Sequence, residues 1–178
     1  MGTAVAEALC GKTNEFGRLP VTFYRSTKQL PDFDDYDMHG RTYRYMEEEP
    51  LYPFGFGLSY SDFSLSDVSF DSKTLTVSAK VKNLKNKEGV RRGKAIVQVY
   101  ASTPDIKGSP KKSLVGFGSI YRFEDETGEV KITLEPFWLR VYDEERQEMV
   151  EPSAGTRFVL EVGFSSADPE AKRIEGKW

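Results

Sequence analysis

The chain is poor in the residues that most often carry local chemistry. Its 178 residues include one cysteine, Cys10, and one histidine, His39. A single cysteine excludes an internal disulfide and a cysteine-based metal site. A histidine with no second histidine or cysteine near it argues against zinc, and no nucleophile-elbow pattern accompanies it. No apolar run approaches the length of a membrane span. Neither sign of charge dominates: 25 Lys and Arg against 28 Asp and Glu leave a net charge of −3. The two signs interleave, so nothing resembles a nucleic-acid footprint. The N-terminus carries neither a basic stretch nor a long apolar one, so no signal peptide is expected, and cytoplasmic and secreted locations both stay open. The mean hydropathy of −0.52 reads as a soluble chain.

What is present divides into two unlike parts, residues 1–63 and 64–178, a length that suits one ordinary domain with a large appendage. The first part opens with helix formers at residues 4–9, with Thr3 as a candidate N-cap and Gly11 as the terminator. A short apolar strand is expected at residues 19–24, interrupted by Pro20. Beyond it lies a long stretch of Pro, Asp, Gly and aromatics with no helical or strand period. So irregular a run is costly to order and reads as a strap laid over a neighbouring surface, or as a linker.

The second part alternates as half-buried strands do. Leu75, Val77, Ala79 and Val81 share one face; Val97 and Val99 sit among Ile96, Gln98 and Tyr100. Val130, Ile132 and Leu134 repeat the pattern, and Phe158, Leu160 and Val162 repeat it again. Turn residues at 83–93, 103–110, 125–128 and 151–155 punctuate these runs. About seven short strands in roughly 115 residues, with no helical segment between them, predict a mainly β, immunoglobulin-like sandwich.

Several local patterns invite chemistry and are better read plainly. Ala6-Glu-Ala-Leu-Cys-Gly11, with Lys12 and Thr13, has a relaxed phosphate-loop spacing. Such a loop needs a strand before it and a helix after it; here helix formers precede it and turn residues follow, so it is a helix C-terminus. Asp32, Asp34, Asp35 and Asp37 lack the glycine and terminal glutamate of a calcium loop and read as a solvated, self-capping turn. Glu47, Glu48 and Glu49 read as a solvated loop tip. The aromatics Tyr36, Tyr43, Tyr45, Tyr52, Phe54, Phe56 and Tyr60 suit either a sugar-stacking platform or anchors for the strap, and anchoring is the stronger reading. Arg41 and Arg44 are expected to pair with carboxylates or carbonyls of the surface beneath. No residue is assigned to a metal or a cofactor.

The motifs Gly17-Arg-Leu-Pro-Val-Thr-Phe23, Leu30-Pro-Asp-Phe-Asp-Asp-Tyr36, Gly40-Arg-Thr-Tyr-Arg-Tyr45 and Pro50-Leu-Tyr-Pro-Phe-Gly-Phe-Gly-Leu-Ser-Tyr60 resemble the C-terminal end of glycoside hydrolase family 3 enzymes, β-glucosidases and β-xylosidases. In that family a fibronectin type III-like domain follows the last of these motifs. Val97-Gln-Val-Tyr100, Pro110 with Lys112-Ser-Leu-Val-Gly-Phe117, and Glu151-Pro152 leading to Val162-Gly163 look like its landmarks. Two departures are local: Asn14-Glu-Phe-Gly17 stands where the family commonly has Asn-Pro-Ser-Gly, and the loop at 124–129 lacks the usual Pro-Gly-Glu turn.

The resemblance implies that residues 1–63 are the last helix, strand and strap of an incomplete α/β domain, and that 64–178 form the whole fibronectin-like domain. It also implies that the nucleophilic aspartate and the acid/base glutamate of a retaining glycosidase lie upstream of this region, so the chain is expected to be inactive alone and to brace the catalytic domains. Arg41, Tyr43, Arg44, Tyr45, Tyr52, Phe54 and Phe56 are the expected interdomain or sugar-contact residues. Two other readings stay open: an independent carbohydrate-binding module using residues 36–60, and a protein-interaction sandwich. Val5, Leu9, Leu19, Val21 and Phe23 lack the sheet they would cover, so residues 1–35 are expected to be poorly ordered, to fold back on the sandwich, or to self-associate.

Overall fold

A computed structural model of the protein describes residues 2–88, 92–143 and 146–178. Helix α1 (Gly2–Leu9) opens the chain. Thr3 lies inside it rather than capping it, and Gly11 ends it in a left-handed conformation, φ 74°. The amide of Gly11 donates to Ala8 O at 3.2 Å and that of Lys12 to Glu7 O at 2.9 Å, the paired bonds that close a helix C-terminus. The Gly11-Lys12-Thr13 element is therefore a helix end, with no helix behind it to cradle a phosphate.

The strand expected at 19–24 is not a regular strand. Phe23 makes an isolated bridge to Tyr52, and the Leu19 amide donates to Phe56 O while Leu19 O accepts from the Gly55 amide, both at 2.8 Å. Pro20 has no N–H to give a ladder, so the segment pairs with the strap at its two ends and not continuously. A 3-10 turn (Thr27–Gln29) and a single helical turn, α2 (Thr42–Tyr45), interrupt the strap, which otherwise stays irregular to residue 60.

Strands follow: β1 (Ser61–Asp71), β2 (Thr76–Asn86), β3 (Arg92–Ser102), β4 (Ser113–Phe123), β5 (Thr127–Thr133), β6 (Val141–Asp143), β7 (Glu148–Val150), β8 (Arg157–Gly163) and β9 (Lys172–Lys177). A three-stranded sheet, β1-β2-β5, faces a four-stranded sheet, β4-β3-β8-β9, and β6 and β7 form a separate short hairpin. All pairings are antiparallel. The seven-strand sandwich expected from the alternation is therefore present, with the hairpin added. The turn expected at 83–93 is shorter: residues 83–86 belong to β2 and 92–93 to β3, and residues 89–91 lie outside the described residues. The turn expected at 125–128 is tighter: Asp125 takes a left-handed φ of 61° and β5 already starts at Thr127.

The core lies between the sheets, built from the residues whose alternation marked them. Val77, Ala79 and Val81 of β2 meet Ala95, Val97 and Val99 of β3, with Val130, Ile132 and Leu134 below and Phe158, Leu160 and Val162 beside them. Each of the Val, Leu, Ile and Phe side chains contributes about 1.5–3 kcal/mol when fully buried. Leu75 lies in the β1–β2 turn with φ 50° and still packs, partly buried, against this core. Strand β3 is buried on both faces, because Gln98 and Tyr100, pointing away from the core, are 3% and 1% exposed. Something outside the sandwich covers them, and that is the strap.

Candidate functional site

The outer face of β3 is where the strap meets the sandwich. Two aromatic rings of the strap stack on each other there, Tyr43 on Phe54 at 4.3 Å between centroids, and both present an edge relation to Tyr100. The Tyr43 hydroxyl accepts the Leu114 amide at 2.9 Å, and Phe54 O accepts the Ser166 amide at 2.9 Å. Between the rings the backbone makes its closest approach. Gln98 Nε2 donates to Gly55 O at 3.1 Å and to Phe164 O at 2.8 Å, while the Tyr100 hydroxyl donates to Gln98 Oε1 at 2.5 Å. Gly55 has φ 79°, and a Cβ there would stand 2.1 Å from Gln98 Oε1, so only glycine fits. Burial pushes the Tyr100 hydroxyl far above the ordinary tyrosine range, with the nearby Tyr43 and Asp168 adding to it.

A second pin holds residues before the strap. Asn14 is buried; its Nδ2 donates to Ser61 Oγ at 2.8 Å and to Arg92 O at 3.4 Å, and its Oδ1 accepts from the Tyr60 amide at 2.9 Å. Ser61 Oγ passes the network to Asn86 Oδ1, which also accepts from Asn83 Nδ2 at 2.8 Å. Asparagine suits this place because one side chain offers donors and acceptors together.

The remaining sequence-predicted residues lie at graded distances from this junction. Arg44 donates from Nε and Nη2 to Ser113 Oγ at 3.0 and 2.8 Å, a hydroxyl rather than the carboxylate or carbonyl expected. Arg41 turns back on its own strap, donating to the carbonyls of Asp37 and Asp35 and not to a neighbouring surface. Tyr52 stacks on Phe56 at 5.1 Å and stands edge-on to Phe23 at 6.2 Å, on the side away from Tyr100. Tyr45 faces the opposite end of the sandwich, beside Phe137 and Trp138.

Asp35 and Asp37 accept the amides of Asp37 and His39, as a self-capping turn does, and His39 is exposed. The glutamates at 47–49 are more engaged than a bare loop tip: Glu47 lies 3.7 Å from Lys111, Glu48 accepts from Gln29 at 2.9 Å, and Glu49 lies 3.1 Å from Arg25.

Sequence reasoning did not single out Asn14, Gln98 or Gly55 as partners. The available signal was Gln98 itself, an amide set between Val97 and Val99 in an otherwise apolar run.

The residues thus define a class: a fibronectin type III-like sandwich that carries an N-terminal strap locked across its four-stranded sheet. Residues 1–60 match the glycosyl hydrolase family 3 C-terminal domain, and residues 95–166 match the fibronectin type III-like domain. A xylan 1,4-β-xylosidase of Xylanibacter ruminicola is 34% identical over 97% of this chain, which spans 20% of that protein. A periplasmic β-glucosidase of Salmonella typhimurium is 33% identical over 93% of the chain, 23% of its own length. The solved family 3 β-glucosidase of Bifidobacterium adolescentis superposes over 99% of this chain and 28% of its own, with a TM-score of 0.80 and 25% identity. The chain belongs to glycoside hydrolase family 3 and carries its C-terminal region. It spans about a fifth to a little over a quarter of the length of these relatives.

Proposed function

We propose that this chain is the non-catalytic C-terminal portion of a β-glycosidase that hydrolyses β-glucosides or β-xylosides, and that it braces the catalytic domains. Residues 1–63 act as the edge of the preceding α/β domain, and 64–178 act as the support. The observation that carries the reading is the pairing of a locked strap with an unfilled apolar face. Val5, Leu9, Val21, Phe23 and Leu58 are each at least 44% exposed, and Leu9, Phe16, Leu19, Tyr52 and Phe56 line one open hollow. Surface of that kind marks an interaction site, and it lies on the part of the chain that matches the family's C-terminal domain. The same face is the proposed self-association surface when the chain is alone.

Among the described residues, hydrogen bonds from Lys73 and Thr74 lower the pKa of Asp71, and a hydrogen bond and the charge of Arg157 lower that of Glu175. The stacking of Tyr43 on Phe54 and the edge contacts of both with Tyr100 favour anchoring over sugar binding for those two rings.

Hydrolysis of p-nitrophenyl β-glucoside and β-xyloside by the purified chain at high concentration tests the reading. No turnover above a buffer blank is expected, with concentration-dependent association on size exclusion that Leu9→Glu weakens. Turnover that co-purifies with the chain would overturn it.

A further inference from the structure

At the end of the sandwich away from that hollow, the strap and the β5–β7 segment enclose a groove of about 320 Å³. Its walls include Tyr45, Phe137, Trp138, Tyr142 and Trp178, together with Arg44 and Arg140. Phe137, Trp138 and Tyr142 are each more than half exposed, so their rings are open to a ligand. Among the described residues both guanidiniums are held without a carboxylate: Arg44 by the Ser113 hydroxyl, and Arg140 over the Phe137 ring at 5.2 Å. Among the described residues no Asp or Glu lines the groove. The volume is that of a small-ligand cleft, about 300–1,000 Å³.

We infer that this groove binds an acidic saccharide, a short run of pyranose units bearing a carboxylate. Ring faces suit the apolar C–H faces of pyranoses, and guanidinium forks match a carboxylate with two parallel hydrogen bonds. Ser102 and Tyr142, whose hydroxyls can partner sugar hydroxyls, also line the groove. The choice of a saccharide over other carboxylates rests on the proposed glycosidase reading. The groove itself lies on the sandwich, apart from the hollow that reading assigns to the catalytic domains.

Both tryptophans of the chain, Trp138 and Trp178, line this groove, so intrinsic fluorescence reports on it selectively. The full chain is titrated with a xylotriose carrying one glucuronic acid, with neutral xylotetraose, and with free glucuronate, and the affinities are repeated by calorimetry. The acidic oligosaccharide is expected to change the emission saturably and to bind at least about tenfold more tightly than either control, as a charge-assisted contact combined with stacking requires. Trp138→Ala and Arg140→Gln, both at solvent-facing positions, are each expected to weaken it about tenfold with circular dichroism unchanged. No binding overturns the inference. Equal affinity for the neutral chain removes the role of the arginines, and equal affinity for free glucuronate removes the role of the rings; either overturns it. Binding is read without turnover, so failure here is distinguishable from failure of the glycosidase reading.

Discussion

Replacing Gly55 by alanine puts the strap junction under direct stress. The left-handed backbone at φ 79° costs an alanine about 1–2 kcal/mol. The added methyl would lie 2.1 Å from Gln98 Oε1 and 2.8 Å from the Tyr100 hydroxyl, distances no carbon tolerates. Gln98 is a flexible side chain and can swing away, but it is buried and makes bonds to Gly55 O, Phe164 O and the Tyr100 hydroxyl. Each buried polar group left unpaired costs about 1–3 kcal/mol. With two groups orphaned the total is about 3–8 kcal/mol, enough to release a segment held by one ring stack and a few backbone bonds. The sandwich has its own core and is expected to survive. Amide hydrogen exchange resolves the two: Gly55→Ala should lose protection at the Leu19, Gly55 and Ser166 amides while β2 and β8 keep theirs. Gly17→Ala is the control, since a Cβ there meets nothing within 4 Å. Unchanged protection at all three strap amides in Gly55→Ala would refute the reasoning.

The other expectations concern the second pin and the buried phenol. Asn14→Ala removes hydrogen bonds to Ser61 and from the Tyr60 amide, an expected loss of about 2–3 kcal/mol; tryptic cleavage at Lys12 and Arg18 should accelerate, and an unchanged cleavage rate would count against the pin. For Tyr100 the unfolded chain ionises near its ordinary value of 10.0, whereas burial raises the folded value. Its stability contribution is therefore fully present below that pH and is lost as pH rises above it. Urea midpoints of wild type and Tyr100→Phe should converge at alkaline pH; parallel curves would show that the phenol ionises equally in both states.

What the sequence determined by itself was whatever repeats locally. Val77-Ala79-Val81 and Val130-Ile132-Leu134 carry a period of two with a solvated opposite face, which has one stable solution, a buried sheet face; Phe158-Leu160-Val162 carries the same period, but there the structure buries Val159 on the other side as well. Gly11 after a run of helix formers likewise ends a helix wherever it occurs. The family was legible because its motifs are contiguous. What the tertiary structure decided is long in range and has no period. Gln98 meets Gly55 across 43 positions, and Asn14 meets Ser61 across 47; nothing in the neighbours of either residue announces the other. The strand expected at 19–24 failed for the same reason, since a strand needs partners and its partners are the irregular residues 51–56. The groove flanked by Tyr45 and Trp138 also exists only because the strap crosses the sandwich. Local pattern specifies which face of a strand is buried, but only packing specifies what covers the other face, because that choice depends on shape and unpaired polar groups brought together from distant parts of the chain.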